Sequence, residues 1–195
     1  MTAISPLQSI HKKGLFGDHH KKNESDLLNI YESKNLNIVQ IFHYKNSKVK
    51  KDEISIESLE LPSNSPQVTS NKDTRILWSS PNTWIVLSTK EDIINIIKEK
   101  CDDKNFAVTD ISHSRAVIGI KGFNAKEVLK KGCPLNFNEF IKNNCAGTVF
   151  NGINIIIDCV DDKLQIFNII ALRSFGESLY HHITDASLEF GYVGV

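Results

Sequence analysis

The stretch that decides the fold runs from Arg115 to Leu135 and reads RAVIGIKGFNAKEVLKKGCPL. Apolar side chains alternate over residues 115–121, which predicts a β-strand with one buried face. A short helix follows through Lys130. Gly132 is placed to end this helix, and Pro134 forbids its continuation because proline has no backbone N–H. A strand followed directly by a short helix indicates an α+β module in the second half of the chain.

The elements after this helix complete the module. Three strands are predicted at 146–150, 153–159 and 164–170 from their content of β-branched residues. A closing helix is predicted from an apolar stripe with steps of three or four residues. The stripe consists of Leu172, Phe175, Leu179, Ile183, Ala186 and Phe190. Residues 113–195 therefore form a predicted second lobe of βαββ type that closes with an amphipathic helix.

Residues 27–112 form a predicted first lobe of the same type. The predicted order is a strand at 36–44, a weak helix at 50–59, a hairpin at 75–78 and 83–88, a helix at 90–101 and a strand at 106–112. Ser88 and Glu91 have the spacing of a capping box for the second helix. Trp78 and Trp84 flank the hairpin turn, where we expect them to close one end of the core rather than stack on a ligand.

Residues 1–26 are polar and basic, which predicts an extended arm that becomes ordered only against something else. His19 and His20 are adjacent in this arm, but they have no nearby carboxylate or thiol to complete a metal site. We therefore expect them to be exposed polar residues.

The composition excludes several classes of protein. The 195 residues include 23 basic and 23 acidic side chains, so no net field attracts nucleic acid or an anionic membrane. No apolar run approaches the roughly 18 residues of a membrane span. The first 25 residues lack the apolar core of a signal peptide. The four cysteines have no Cys-x-x-Cys spacing, which favours buried, reduced thiols in a cytoplasmic protein.

Residues that can carry chemistry concentrate between Asp110 and Arg115, at the bend between two predicted strands. Asp110 and His113 can act as a general base and a proton carrier, and Arg115 can bind a carboxylate with two hydrogen bonds. The alternative is structural. Asp110 and Ser112 would then cap backbone N–H groups at the strand end, and Arg115 would pair with Asp110.

Two other conspicuous positions are poor candidates for chemistry. Cys133 follows a helix C-terminus, where the helix dipole disfavours the thiolate that a nucleophile requires. His181 and His182 are neighbours on the closing helix, so their side chains point about a hundred degrees apart and cannot share one metal on that face.

The order of short motifs resembles the gamma subunits of heterotetrameric sarcosine oxidase over roughly residues 5–191. The matching pieces are Ser5-Pro6-Leu7, Leu77-Trp78-x-x-Pro81-x-x-Trp84, Asp110-x-Ser112-x-x-Arg115, Lys131-Gly132-Cys133-Pro134-Leu135, Cys145-Ala146 and Arg173-Ser174-Phe175. The segment 110–113 is also similar to one in aminomethyltransferases of the glycine cleavage system. The segment 131–133 is similar to one in folate-binding YgfZ proteins, although the Tyr-x-Gly-Gln-Glu that follows it there is replaced here.

The resemblance implies an α+β fold of the aminomethyltransferase folate-binding type. It implies a cytoplasmic complex with alpha, beta and delta subunits that demethylates sarcosine to glycine, passes the one-carbon unit to tetrahydrofolate and forms hydrogen peroxide. FAD, FMN, NAD, tetrahydrofolate and zinc are implied to reside in the other subunits. No catalytic, cofactor-binding or metal-ligating residue is then assigned here, and the isolated chain is expected to be inactive. The interface candidates are Asp110, Ser112, Arg115, Lys131, Gly132, Cys133, Pro134, Arg173 and Phe175.

Two alternatives remain at this stage. One is the gamma-like subunit of an N-methylglutamate dehydrogenase, because the amine specificity would reside in a partner. The other is a stand-alone folate-binding protein of the aminomethyltransferase or YgfZ type, which would bind tetrahydrofolate without partners.

Overall fold

The computed structural model describes residues 4–195, which belong to two compact units. Unit 1 contains the residues up to Lys34 together with Ser114–Lys142 and Gly147–Val195, and unit 2 contains Asn35–His113 and Asn143–Ala146. This division differs from the predicted succession of 1–26, 27–112 and 113–195. The difference arises because residues 28–32 form a strand that pairs with strands from the second half of the chain.

The elements have the following bounds. The strands are β1 (Gly14–Phe16), β2 (Leu28–Glu32), β3 (Asn37–His43), β4 (Ser55–Ile56), β5 (Leu59–Glu60), β6 (Val68–Ser70), β7 (Thr74–Ser80), β8 (Thr83–Ser88), β9 (Phe106–Asp110), β10 (Arg115–Lys121), β11 (Cys145–Phe150), β12 (Ile153–Asp161), β13 (Ile166–Leu172) and β14 (Tyr192–Gly194). The α-helices are α1 (Ile93–Lys100), α2 (Ala125–Gly132) and α3 (Gly176–Ser187). Short 3₁₀ helices lie at Glu24–Asp26, Lys51–Glu53, Ser112–Ser114 and Arg173–Phe175.

Unit 1 is built on a seven-stranded sheet in the order β1-β14-β2-β10-β13-β12-β11. Strand β10 pairs with β13 along its whole length, from Arg115 opposite Leu172 to Lys121 opposite Ile166. On its other side, β10 pairs antiparallel with β2. The predicted order of strand, helix, three strands and closing helix is confirmed in β10, α2, β11, β12, β13 and α3.

Helix α3 buries the central part of the predicted apolar stripe. Leu179 and Ile183 are fully buried, whereas Leu172 and Phe175 precede the helix and are exposed. Gly191 follows the helix with φ +71°, a left-handed conformation that glycine adopts without a steric penalty. The chain then enters β14, a three-residue strand that was not predicted because its partners β1 and β2 are distant in sequence.

Unit 2 contains a five-stranded antiparallel sheet in the order β6-β7-β8-β3-β9. The predicted hairpin is present, with Trp78 opposite Trp84 and with Asn82 at φ 59° in its turn. Trp84 is buried, and its Nε1 donates a hydrogen bond to the carbonyl oxygen of Pro62 at 2.8 Å. The expectation that this tryptophan closes the core is confirmed. Helix α1 contributes the buried Ile93 and Ile97 to the same core.

The predicted helix at 50–59 is wrong. A single 3₁₀ turn and the two short strands β4 and β5 occupy this segment. Ile54 and Ile56 alternate and are both buried, a period-two pattern that is too short to dominate a sequence reading. Glu57 and Ser58 have φ values of 53° and 64°, which form the tight turn between the two strands.

The capping box predicted at Ser88 and Glu91 is also absent. Ser88 is the last residue of β8, and its Oγ lies 2.9 Å from Oγ1 of Thr74 and accepts a hydrogen bond from the N–H of Lys90. Helix α1 begins later, with Asp92 at the N-cap position and no side-chain capping bond. The serine therefore completes the strand end instead of starting the helix.

The amino-terminal arm is ordered against its own unit, contrary to the prediction for residues 1–26. Leu7 is fully buried, and β1 pairs antiparallel with β14. Nδ1 of His11 lies 2.9 Å from the hydroxyl of Tyr180, and Nε2 lies 2.8 Å from the carbonyl oxygen of Val195. Met1–Ala3, which the prediction also covered, lie outside the described residues.

Truncation of a buried residue on α3 tests this account of unit 1. We expect Leu179→Ala to lower the free energy of unfolding by about 2–5 kcal/mol, because it leaves a cavity in the core. Leu188→Ala is the matched control, since Leu188 follows the same helix and is exposed. Its expected effect is within about 0.5 kcal/mol. Urea unfolding of both variants measures the difference, and equal losses would contradict the burial described here.

Candidate functional site

The predicted cluster around Asp110 forms a closed set of hydrogen bonds at the end of β9. Oδ1 of Asp110 accepts hydrogen bonds from the backbone N–H of Ser112 at 2.9 Å and from its hydroxyl at 2.5 Å. The same hydroxyl oxygen accepts a hydrogen bond from the N–H of Ile38 at 2.9 Å. The two side chains thus cap backbone groups where β3 and β9 meet, as the structural alternative proposed.

The electrostatics of Asp110 disfavour a role as a general base. The hydroxyl of Ser112 is the main cause that lowers the pKa of Asp110 below 3.8, and the Ser112 N–H and the charges of His113 and Lys98 add to it. Burial opposes these effects but does not cancel them. A carboxylate with a lowered pKa is a weak proton acceptor near neutral pH.

Arg115, Arg173 and Phe175 come together at one end of β10 and β13. Arg115 stands opposite Leu172, and its Nη1 donates to the hydroxyl oxygen of Ser114 at 3.0 Å. Burial lowers the pKa of Arg115 from its ordinary value. The hydrogen bonds described for Arg115 and for Asp110 go to a serine near each in sequence, and the pairing of these two side chains stays a prediction.

This end of the two strands carries exposed apolar groups beside cations. Leu172 and Phe175 are both exposed, and Nη2 of Arg173 donates to the carbonyl oxygen of Ile4. We call Arg115, Leu172, Arg173 and Phe175 the motif surface. Apolar side chains interleaved with guanidinium groups are typical of protein–protein interfaces rather than of catalytic clefts.

Lys131 fastens α2 to the end of α3. Its Nζ donates a hydrogen bond to the carbonyl oxygen of Ala186 at 2.6 Å and pairs with Oε1 of Glu189 at 2.5 Å. The same Nζ lies 4.9 Å from the centre of the Phe190 ring. A cation that binds the last carbonyls of a helix complements the negative end of the helix dipole. The role of Lys131 is therefore structural.

Gly132 and Cys133 serve packing as well. Gly132 is the last residue of α2, and a Cβ there would stand 2.7 Å from Oδ1 of Asn151 and 3.0 Å from the ring of Phe150. Helix α2 ends at Gly132, as predicted, and glycine also permits this close approach. Cys133 is buried, with Sγ 3.6 Å from Oγ1 of Thr148, and Pro134 is exposed beside it.

The cysteines, the grouping of ionisable side chains and one surface depression indicate what the described residues offer a metal or a flat cofactor. All four cysteines are buried and outside any disulfide, as predicted, and burial raises the pKa of Cys101 to about 12. Across residues 4–195, no three His, Cys, Asp or Glu side chains are grouped to hold a metal ion. Flat cofactors require an enclosed, largely apolar slot. A depression of about 410 Å³ on α3, lined by His181, His182, Thr184, Asp185, Leu188 and Tyr192, is open to solvent and does not fit one.

The depression on α3 was missed by sequence reasoning. Nδ1 of His182 is buried there and has no hydrogen-bond partner among the described residues, while Nε2 of His181 lies 3.9 Å from Oε1 of Glu177. Leu188 and Tyr192 complete the lining from beyond the helix end. His181, Thr184, Asp185 and Leu188 follow helical spacing, but Tyr192 joins them only through the turn at Gly191, which no local pattern predicts.

Comparison with known proteins gives a consistent result. A family model described as the sarcosine oxidase, gamma subunit family matches residues 53–189. A chain of the heterotetrameric sarcosine oxidase from Corynebacterium sp. U-96, in complex with pyrrole 2-carboxylate, is similar in structure, with a TM-score of 0.83 and 19% identity over 96% of this chain and 95% of that one. The glycine cleavage system aminomethyltransferase T from Bartonella henselae is similar with a TM-score of 0.60 and 8% identity, over 82% of this chain and 46% of that one. No curated protein matches the sequence.

These comparisons confirm the predicted fold class, an α+β fold of the aminomethyltransferase folate-binding type. Among residues 4–195, no helix is long and apolar enough to cross a membrane.

Substitution at Gly132 tests the packing role of the Lys-Gly-Cys motif. We expect Gly132→Ala to destabilise unit 1 by about 1–3 kcal/mol, because its Cβ would overlap Asn151 and the buried ring of Phe150. Gly147→Ala is the matched control, since a Cβ at that position meets no atom within 4 Å. Thermal unfolding of the two variants measures the contrast. A neutral Gly132→Ala would show that the motif is not required for packing.

The pH dependence of stability tests the cap at Asp110. Because the folded-state pKa lies below 3.8, its stabilisation is fully present above the unfolded pKa and is lost as the pH falls through the folded value. Ser112→Ala should therefore lower the free energy of unfolding more at pH 7 than at pH 3. The difference should be less than about 1 kcal/mol because solvent screens the interaction. Urea unfolding at both pH values measures this. In an Asp110→Asn background the two costs should be equal, and a persistent difference there would refute the assignment.

Proposed function

The chain belongs to the sarcosine oxidase gamma subunit family, and we propose that it acts as the gamma subunit of a heterotetrameric sarcosine oxidase, with alpha, beta and delta subunits as its partners. The observation that carries the proposal is the family match over residues 53–189. The structural similarity, which covers 96% of this chain and 95% of the Corynebacterium chain, supports it.

The proposed role within the complex is structural and not catalytic. The residues that the sequence suggested for catalysis instead stabilise the fold. Asp110 and Ser112 cap strand ends, and Lys131 binds the carbonyl end of α3. A site for acid–base chemistry requires a group whose pKa lies near the working pH, and the lowered pKa of Asp110 does not meet this requirement. On this proposal the isolated chain is inactive.

The chemistry of the complex is assigned to the partners. The reaction is the oxidative demethylation of sarcosine to glycine, with transfer of the one-carbon unit to tetrahydrofolate and formation of hydrogen peroxide. FAD, FMN, NAD, tetrahydrofolate and zinc are then held in the other subunits. The open depression on α3 and the dispersed cysteines of the described residues support this division. Four buried thiols also suit a reducing cytoplasm, which is the proposed location.

The motif surface is the proposed contact with one partner subunit. Exposed Leu172 and Phe175 offer apolar area, and Arg115 and Arg173 lie beside them. Arginine and aromatic residues are enriched among the residues that dominate binding at interfaces. The remaining candidates stabilise the fold through the contacts described above and contribute to assembly only indirectly. They are Asp110, Lys131, Gly132 and Cys133.

Purification of the tagged chain from its native cells tests the proposed function. We expect three partners to co-purify, with the visible absorption of flavin and with sarcosine oxidation. Phe175→Asp should reduce recovery of at least one partner about tenfold or more, which corresponds to ~1.4 kcal/mol of binding. Phe175→Leu keeps an apolar side chain and is the matched control.

Three results would contradict the proposal. A lone, colourless protein that binds tetrahydrofolate would indicate a stand-alone folate protein. A complex that oxidises N-methylglutamate and leaves sarcosine unchanged would indicate the gamma-like subunit of a different amine dehydrogenase. Full recovery of every partner with Phe175→Asp would remove the motif surface from the interface.

A further inference from the structure

Three exposed apolar side chains stand at one end of the unit 1 sheet. Phe123 is 82% exposed and lies in the turn between β10 and α2. Leu164 is 59% exposed and lies in the turn between β12 and β13, and Ile141, which precedes β11, is 54% exposed. We call Phe123, Ile141 and Leu164 the turn patch. Single exposed apolar residues are ordinary, but a group of large ones on neighbouring turns marks an interaction site.

Hydrogen bonds hold the three turns together. The N–H of Gly122 donates to the carbonyl oxygen of Gln165 at 3.3 Å, and the N–H of Lys126 donates to Oε1 of the same glutamine at 3.0 Å. The N–H of Lys142 donates to Oδ1 of Asp162 at 3.2 Å. The bonds join segments within three residues of Phe123, Ile141 and Leu164, so the patch is assembled from adjacent segments.

Buried phenylalanine side chains hold the segment that carries Ile141. Phe137 and Phe140 are buried, and the ring of Phe137 packs edge to face on Phe167 of β13 with centroids 6.1 Å apart. In the neighbouring turn, Oδ1 of Asp161 accepts a hydrogen bond from the N–H of Leu164 at 2.8 Å. A surface that is already ordered loses little conformational entropy when it is covered.

The charges that border the turn patch are predominantly positive. Lys121 and Lys163 are exposed, and neither forms an ion pair within the described residues. The nearest acids are engaged in the turn itself. Asp161 lies 3.8 Å from Nζ of Lys142, and hydrogen bonds from the N–H groups of Leu164 and Lys163 contribute to a lowered pKa. A complementary surface would be apolar at its centre with Asp or Glu at its edge.

The turn patch and the motif surface lie at opposite ends of the same strands. Arg115 and Leu172 mark one end of the β10–β13 pair, and Lys121 and Ile166 mark the other. Each strand has seven residues, so the two ends are roughly 20 Å apart. The turn patch is therefore a contact surface distinct from the motif surface, at the other end of the same strand pair.

We propose that the turn patch docks a partner subunit through an apolar surface with an acidic rim, at a contact separate from the motif surface. The proposal rests on the assignment as a gamma subunit and adds to it the position and chemistry of a second contact. Phe123 inserts as the central anchor, with Leu164 and Ile141 beside it, while Lys121 and Lys163 face the acidic rim.

Assembly of the full chain with its co-expressed partners tests the proposal. The variant Phe123→Asp with Leu164→Asp should lose one partner, with recovery reduced at least tenfold, while the partner of the motif surface remains bound. Phe175→Asp should release a different partner. Asn154→Asp is the charge control, because Asn154 is exposed on β12 of the same sheet, and it should assemble normally. Phe123→Leu should retain most of the binding.

A second variant tests the charge of the rim without removing apolar area. Lys163→Glu should slow association of the same partner about five- to tenfold at low ionic strength, and the difference should shrink in high salt. Lys45→Glu, at an exposed position of unit 2, is the matched control and should leave the rate unchanged. An unaltered rate with Lys163→Glu would overturn the predicted acidic rim.

The outcomes separate this proposal from the one on which it rests. Intact assembly of the double variant would overturn the docking site and leave the gamma-subunit assignment standing. A wild-type chain that recovers no partner would overturn both. Self-association of the isolated chain that the double variant abolishes would assign the turn patch to a second copy of this chain and overturn the proposal.

Discussion

The pairing of β10 with a strand on each side is the constraint on which unit 1 depends. This strand joins β13 to β2 and therefore links the second half of the chain to its beginning. The elements packed against β10 leave little room for larger side chains. A Cβ at Gly119 would stand 2.2 Å from the ring of Tyr31, and Gly176 of α3 approaches so closely that its Cβ would lie 3.0 Å from that of Ala116. Small residues at these positions let one strand support both the sheet and the closing helix.

Most of the motifs that suggested a reactive site instead stabilise the folded units. Lys131 closes the carbonyl end of α3, Gly132 lets the turn after β11 approach α2, and Asp110 with Ser112 terminates β9. A short motif can thus identify a protein family without marking a reactive site. The proposed function instead rests on the outer surface, where side chains such as Phe175 and Phe123 are exposed.

Much of the second half could be predicted from sequence because its elements have strong periodic signals. Strand β10 was predicted with the observed bounds, and Leu179 and Ile183 were placed correctly on the buried side of α3. Strands β2 and β14 were missed because their partners are distant in sequence, and pairing of that kind leaves no local pattern. Ile54 and Ile56 were assigned to a helix because two alternating residues are too few to establish a period. The turn patch was missed because its members come from three separate loops.

The position of β14 has a consequence for how the protein is made. Residues 192–194 lie between β1 and β2, which belong to the first part of the chain to leave the ribosome. The sheet of unit 1 therefore remains open until translation has delivered its last strand, whereas nearly all of unit 2 is available by residue 113. Until then, the edges of β1 and β2 that later pair with β14 remain unpaired, and unpaired strand edges favour aggregation.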